Sequence, residues 1–222
     1  MKQYLISYWN IQNLTDTRAG QIADKVIPQL DKSDVTFILE GLMPTDATVT
    51  AWLKRYKTAY ARDLMGVRVD AADTTQRNEC YLVFWKPETV GKTTTAALQT
   101  YGINDKQPPG RLPVVLSGTI KAAAWHAAGP STKDNQNDVN ALTHATVLAK
   151  NNVQAFGGDF NYNNQSGKIG KYVVVASAKP TTFGGDFYDY VGLLPGIKGE
   201  SAGDFSPGVS DHRGISVRVI LP

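Results

Sequence analysis

A small set of acid, amide and imidazole residues in this chain stands where apolar runs stop or start. Gly157-Gly158-Asp159-Phe160-Asn161 follows the run Val153-Gln154-Ala155-Phe156, and Glu40 closes Val35 to Leu39. Asn10 ends the alternating opening Gln3 to Trp9, His126 ends a run over 119–126, and Ser210-Asp211-His212 precedes the closing run Gly214 to Leu221. Short apolar runs bounded by Gly, Pro, Asn and Asp read as strands. The chain therefore needs a fold that gathers strand ends at one edge.

The order of elements narrows that fold. Strand 3–10 leads to a helix over about 17–31, in which Ile22, Val26, Ile27 and Leu30 recur at helical spacing. A short strand ends at Leu39, and Thr45-Asp46 caps a second helix with Val49, Trp52, Leu53 and Tyr56 on one face. After a polar stretch, Tyr81 to Trp85 reads as a buried strand ended by Pro87. A Thr-, Gly- and Pro-rich loop over 91–110 leads to a hairpin of strands 111–116 and 119–126 around Ser117-Gly118. A helix over 133–150, strands 153–156 and 187–194, a Gly- and Pro-containing loop through Gly208 and the last strand complete the chain. Strands outnumber helices, and the helices fall into two groups separated by paired strands. The predicted class is α+β, a four-layer α/β/β/α sandwich of two packed mixed sheets with helices on the outer faces.

The chain has 222 residues, 42% of them hydrophobic, with neither repeat nor linker, so it is read as one domain over 1–222. A formal charge of +3 permits an anionic partner without demanding one. Cys80 is the only cysteine, which excludes an internal disulfide, and its place at the head of an apolar run makes it an inert buried thiol. No charged leader precedes a long apolar stretch, and no run approaches the ~18 apolar residues of a membrane span. The chain as given is read as soluble, without signal peptide or membrane span, and its cellular location stays open.

The residues at the strand ends make one chemical set. Cleaving a phosphodiester takes a divalent cation or its equivalent to neutralise phosphate charge, carboxylates or amides to hold metal or water, and an imidazole to move protons. Asn10, Glu40, Asp159, Asn161, Asp211, His126 and His212 supply that set. Each has a plain rival reading: Gly-Asp-Phe-Asn is an ordinary turn sequence, and Asp211-His212 alone is an ordinary surface pair.

Several words of the sequence, in order, carry a resemblance. Tyr8-Trp9-Asn10-Ile11-Gln12, Phe37-Ile38-Leu39-Glu40, Asn78-Glu79-Cys80-Tyr81-Leu82, Arg111-Leu112-Pro113-Val114-Val115, Trp125-His126-Ala127-Ala128-Gly129-Pro130, Gly158-Asp159-Phe160-Asn161, Tyr188-Asp189-Tyr190-Val191 and Ser210-Asp211-His212 span nearly the whole chain. Together they resemble the endonuclease/exonuclease/phosphatase superfamily, on the side of deoxyribonuclease I and the active subunit of cytolethal distending toxins. The resemblance implies a Mg²⁺-dependent deoxyribonuclease I-like endonuclease that nicks DNA by water attack on phosphorus, with Mn²⁺ or Ca²⁺ as other candidate ions. It implies metal ligands Glu40, Asp211 and Asn10, and Asp159 and Asn161 on water or phosphate. His126 would be oriented by Glu79 and His212 by Asp189, while Asn10, Arg111, Asn161 and Tyr188 would meet substrate. DNA is the implied partner of a monomeric enzyme. A phosphatase acting on phosphoinositides or other phosphomonoesters is the alternative, and an inactive binding module the remote one.

Some positions depart from that pattern. Leu39 replaces a usual Gln, Leu42 stands where deoxyribonuclease I has a minor-groove Arg, and Arg77 replaces a DNA-contacting Tyr. Gln12 and Asn13 stand where the abasic-site repair branch has Asp and Gly. His144, on the helix after His126, reads as a solvated helix face. Lys54-Arg55-Tyr56-Lys57 reads as an exposed basic face with Tyr56 turned inward.

Overall fold

The structure, a computed structural model, describes residues 1–42, 44–70, 79–91, 93–97, 111–127, 134–162, 167–176, 182, 185 and 187–222. The predicted roles of Arg77, Asn78 and 128–130, the loop over 98–110 and the predicted helix start at 133 lie outside them.

Strand β1 (Lys2–Leu14) is followed by α1 (Asp16–Lys32), β2 (Val35–Leu42), α2 (Asp46–Tyr60), β3 (Met65–Asp70) and β4 (Glu79–Trp85). Then come α3 (Pro87–Val90), β5 (Thr94–Ala97), β6 (Val114–Ser117), β7 (Lys121–His126) and α4 (Asp134–Lys150). The last third holds β8 (Ala155–Asp159), β9 (Lys168–Ile169), β10 (Tyr172–Ala176), β11 (Asp189–Leu193), β12 (Lys198–Phe205) and β13 (Gly214–Leu221). The described strands form a six-stranded sheet, β12-β13-β1-β2-β4-β3, and a seven-stranded sheet, β5-β6-β7-β8-β11-β10-β9. Both are mixed, with β1 parallel to β2 and β7 parallel to β8 among antiparallel neighbours.

Alternation of side chains along the strands makes three cores. Tyr4, Ile6 and Tyr8 of β1 and Tyr81, Val83 and Trp85 of β4 fill the space between the sheets. The intervening Trp9, Ile11, Cys80, Leu82 and Phe84 pack under α1 and α2, and Trp125 and Phe156 pack under α4. The result is an α/β/β/α sandwich. Helix α1 starts at Thr15, whose side chain accepts the Arg18 N–H, and buries Ala19, Ala23, Val26, Ile27 and Leu30 on one face. In α2, Tyr56 is buried with its hydroxyl donating to Asp31, while Lys54, Arg55 and Lys57 are exposed. Cys80 is buried, and burial pushes its thiol up to about 11. No described helix is long and apolar enough to cross a membrane.

The structure corrects the sequence reading at several elements. The polar stretch before Tyr81 contains β3, and the supposed loop before the last strand contains β12, which among the described strands is an edge strand paired with β13. Neither is a buried apolar run: β3 is half-exposed and most of β12 is exposed, so the hydrophobic pattern gave no signal. Pro87 ends β4 by opening the short helix α3, where a missing N–H costs nothing. Residues 111–113 are not strand, β5 lies inside the predicted 91–110 loop, and β9 and β10 had no predicted counterpart. His144 is buried rather than solvated, its ring edge-on to Trp125 with centroids 5.0 Å apart.

Topology brings the strand ends together. Because β1 runs parallel to β2 and β7 parallel to β8, Asn10, Glu40, His126 and Asp159 lie towards their C-terminal ends. Because β4, β11 and β13 run antiparallel to β2, β8 and β1, the residues opening them return to the same edge. In register, Leu42 faces Glu79, Asp189 faces Asp159, and His126 faces Asp159.

Candidate active site

The end of β8 is built on two glycines. A side chain at Gly157 would meet the Tyr8 ring at 2.9 Å, and one at Gly158, where φ is +137°, would stand 2.0 Å from the Trp125 carbonyl. With neither present, β8 packs against β7 and β1 closely enough to deliver Asp159 into the gap between the sheets. Asp159 is buried, and Asn10 donates to its Oδ2 at 2.8 Å from the other sheet. Its Oδ1 accepts the backbone N–H of Asn161 at 2.9 Å, in a turn where Asn161 takes φ +49°. Asn161 donates its amide to the Ala127 carbonyl at 3.0 Å, next to His126.

The two imidazoles converge on this carboxylate. Nε2 of His126 and Nε2 of His212 each lie 3.6 Å from Asp159 Oδ2. Behind them, His126 Nδ1 is 3.1 Å from Glu79 Oε2, and His212 Nδ1 is 2.9 Å from Asp189 Oδ2. Burial, then the Arg111 charge, lowers His126 to about 4 against the pull of Asp159 and Glu40. At His212 burial also opposes the charged ring, but the Asp189 hydrogen bond and the Asp159, Asp189 and Asp211 charges outweigh it and lift the ring to about 9. Burial, then the neighbouring Asp189 charge, raises Asp159 above the usual carboxylate range. At neutral pH one ring is neutral and the other cationic.

Glu40 occupies an irregularity of β2 and has φ +60° in a non-glycine residue, a conformation that costs of order 1–3 kcal/mol and concentrates at functional sites. Its carboxylate lies 4.0 Å from His126 Nε2. Ser210 donates to the Asn10 carbonyl at 2.7 Å and accepts from the His212 N–H at 3.1 Å, which sets the closing turn against β1. Asp211 is exposed beside it. Tyr188 is half-buried, and its carbonyl accepts the Phe160 N–H. An open groove of about 800 Å³ runs off Asp211, bordered by Gln12, Arg18, Gln21, Lys25 and Ser210.

The site has places for a cation. Asn10 Oδ1 is buried and finds no hydrogen-bond partner among the described residues, an exception to the rule that buried polar atoms are paired. The nearby carboxylate and amide oxygens are hard donors suited to Mg²⁺-type ions. Asp159, Asp189 and His212 bring one ligand atom each within 4.8 Å of one another, close enough to hold a metal ion. This group differs from the set Glu40, Asp211 and Asn10 implied by the resemblance, and adjoins it through the Asn10 to Asp159 hydrogen bond.

Arg111 departs from expectation. Instead of standing out towards substrate, its side chain is 7% exposed and pairs with Glu79, because a buried guanidinium requires a carboxylate. It also donates to the Ala127 carbonyl at 3.0 Å and approaches His126 Nδ1 at 2.7 Å. Sequence reasoning missed two supports. The Tyr81 hydroxyl accepts the His126 N–H and donates to the Leu112 carbonyl. Arg18 ties the Gln12 carbonyl to the Val209 carbonyl, bracing the turn that carries Asp211. Neither had a local signal, since Tyr81 reaches Leu112 and His126, and Arg18 reaches Val209, across long stretches of sequence.

No family model and no curated protein matches the sequence, but solved structures share the fold. An endonuclease/exonuclease/phosphatase from Bacteroides vulgatus superposes with TM-score 0.62 at 12% identity, covering 100% of both chains. D. rerio TDP2 complexed with single strand DNA product gives TM-score 0.65 at 14% identity over 100% of both chains. ANGEL2, a 2',3'-cyclic phosphatase, gives 0.66 at 11% identity over 99% of this chain and 96% of its own. The chain has the fold of the endonuclease/exonuclease/phosphatase superfamily.

Proposed function

We propose that this chain is a divalent-metal-dependent phosphodiesterase, and that it acts as an endonuclease nicking DNA. The observation that carries the reading is the meeting of two imidazole–carboxylate pairs on Asp159 beside an unpartnered Asn10 oxygen. Glu40, Asn10 and Asp211 are the residues that would hold the cation, which when bound supplies charge neutralisation at the phosphate. Asp159 and Asn161 hold and orient the attacking water. The attacking water gives up a proton to Asp159 as its oxygen bonds to phosphorus, the bond to the leaving oxygen breaks, and that oxygen takes up a proton from an imidazole. His126 and His212 present Nε2 to the same point, so a phosphate there receives hydrogen bonds or protons from both. Asp189 stands behind the His212 ring and the Glu79–Arg111 pair behind the His126 ring, and these orient them. The groove off Asp211 gives a polymeric substrate room to continue past the scissile bond.

The likeness to ANGEL2 favours a second reading, a phosphatase with the same site. Incubation with supercoiled plasmid, a 2',3'-cyclic nucleotide and short-chain phosphoinositides, each with Mg²⁺ and with chelator, separates them. The expected result is metal-dependent plasmid nicking. Turnover of the small substrates without nicking would replace the first reading by the second.

A further inference from the structure

Arg111 and Glu79 make opposite demands on one atom. A guanidinium has only N–H donors and a carboxylate only acceptors. With Arg111 Nη1 at 2.7 Å from His126 Nδ1, that nitrogen must offer its lone pair; with Glu79 Oε2 at 3.1 Å, it would have to carry a proton. The shorter contact is also the better anchored. Arg111 Nη1 has two hydrogens, one for His126 and one for the Ala127 carbonyl at 3.0 Å, and Nη2 donates to Glu79 Oε1. The Arg111 carbonyl accepts from Trp125 Nε1 at 2.8 Å, so the residue is tied to both neighbours of His126. Glu79 is thereby engaged by Arg111 and does not need the imidazole proton.

We propose that Arg111 is a positioning residue that holds His126 in the tautomer with its proton on Nε2, the nitrogen that faces Asp159 and Glu40. His212 differs: its Nδ1 stands against Asp189, which only accepts, so there Nδ1 carries a proton. The two rings, symmetric in their distance to Asp159, are unlike in what their inner nitrogens carry. His126 offers the reaction site a fixed N–H donor. Arg111 then acts through His126 and not by gripping a flanking phosphate. The consequence for turnover rests on the phosphodiesterase reading, whereas the tautomer itself does not.

The test is nitrogen NMR of the full-length protein with ¹⁵N-labelled histidine at neutral pH without metal. With three histidines in the chain, His126→Gln identifies the His126 signals by their loss. The expected spectrum has His126 Nδ1 unprotonated and Nε2 protonated, unchanged in Glu79→Gln and shifted towards Nδ1–H in Arg111→Gln. In activity, Arg111→Gln lowers kcat on a small chromogenic diester on the order of 10²-fold and leaves KM and salt dependence on long DNA unchanged. A wild-type spectrum with Nδ1–H, or an Arg111→Gln spectrum that keeps Nε2–H, overturns the proposal. So does a variant that raises KM for DNA and flattens its salt dependence while sparing the small diester. If Arg111→Gln does not fold, the wild-type and Glu79→Gln spectra decide. A wild-type protein inactive on every phosphodiester would sink the functional reading and leave the spectra to judge the tautomer.

Discussion

Asn10 on β1 and Asp159 at the end of β8 are joined across the two sheets by a buried hydrogen bond of 2.8 Å, between residues 149 positions apart. That bond closes the site edge of the sandwich, with Asn10 Oδ1 left without a partner among the described residues. Asn10→Ala removes the donor from a buried carboxylate oxygen, which costs about 1–3 kcal/mol. The expected outcome is a lowered urea midpoint with unchanged slope, and turnover reduced well beyond what the residual folded fraction explains.

Glu40→Gln keeps shape and removes charge from a residue whose side chain is 18% exposed. The fold should persist, while Mg²⁺ activation shifts to higher concentration and the saturated rate falls by orders of magnitude. Full activity at low Mg²⁺ would remove Glu40 from the metal site.

His126→Ala and His212→Ala should each lose ~10²–10⁴-fold in turnover, the range for a positioned proton-transfer group. In the proposed mechanism both rings act on one phosphate, so the double variant should lose less than the product of the two. A multiplicative double variant would mean that the rings act independently.

Stability should depend on pH with opposite signs at two rings. His144 is buried and lowered to about 4 by burial, so the unfolded chain, at the ordinary 6.5, binds the extra proton first. Stability is then full above pH 6.5 and falls as pH drops towards 4, by on the order of 3 kcal/mol for this ring. His126 adds loss of the same sign, so His144→Gln should remove one of two protons from the acid slope. His212, raised to about 9, contributes stability that is full below 6.5 and lost as pH rises through 9. Urea unfolding from pH 4 to pH 10 measures both limbs.

Two glycines give opposite predictions. Gly158→Ala places a methyl 2.0 Å from the Trp125 carbonyl at a φ that alanine resists, and should destabilise by several kcal/mol, on the scale of overpacking plus backbone strain. Gly20→Ala, inside α1 with nothing within 4 Å, should stabilise by about 0.5–1 kcal/mol. Thermal unfolding of the two variants would show the contrast.

Much of this molecule was legible locally. Period-2 alternation marked β1, short apolar runs marked β2, β4 and β13, helical spacing marked α1 and α2, and Asn10, Glu40, Asp159 and His212 stood visibly at run ends, because burial and turn chemistry act on neighbouring residues. The edge strands β3 and β12 were not legible: with few buried side chains, they owe their form to pairing with β4 and β13. Nor was the burial of His144, since a helix face has no inside until Trp125 packs against it. The position of Arg111 was decided the same way. The sequence places an arginine before a strand; only the closing of β4 and β7 on residue 111 puts Glu79 and His126 around its guanidinium, and there a buried cation must bind what it finds.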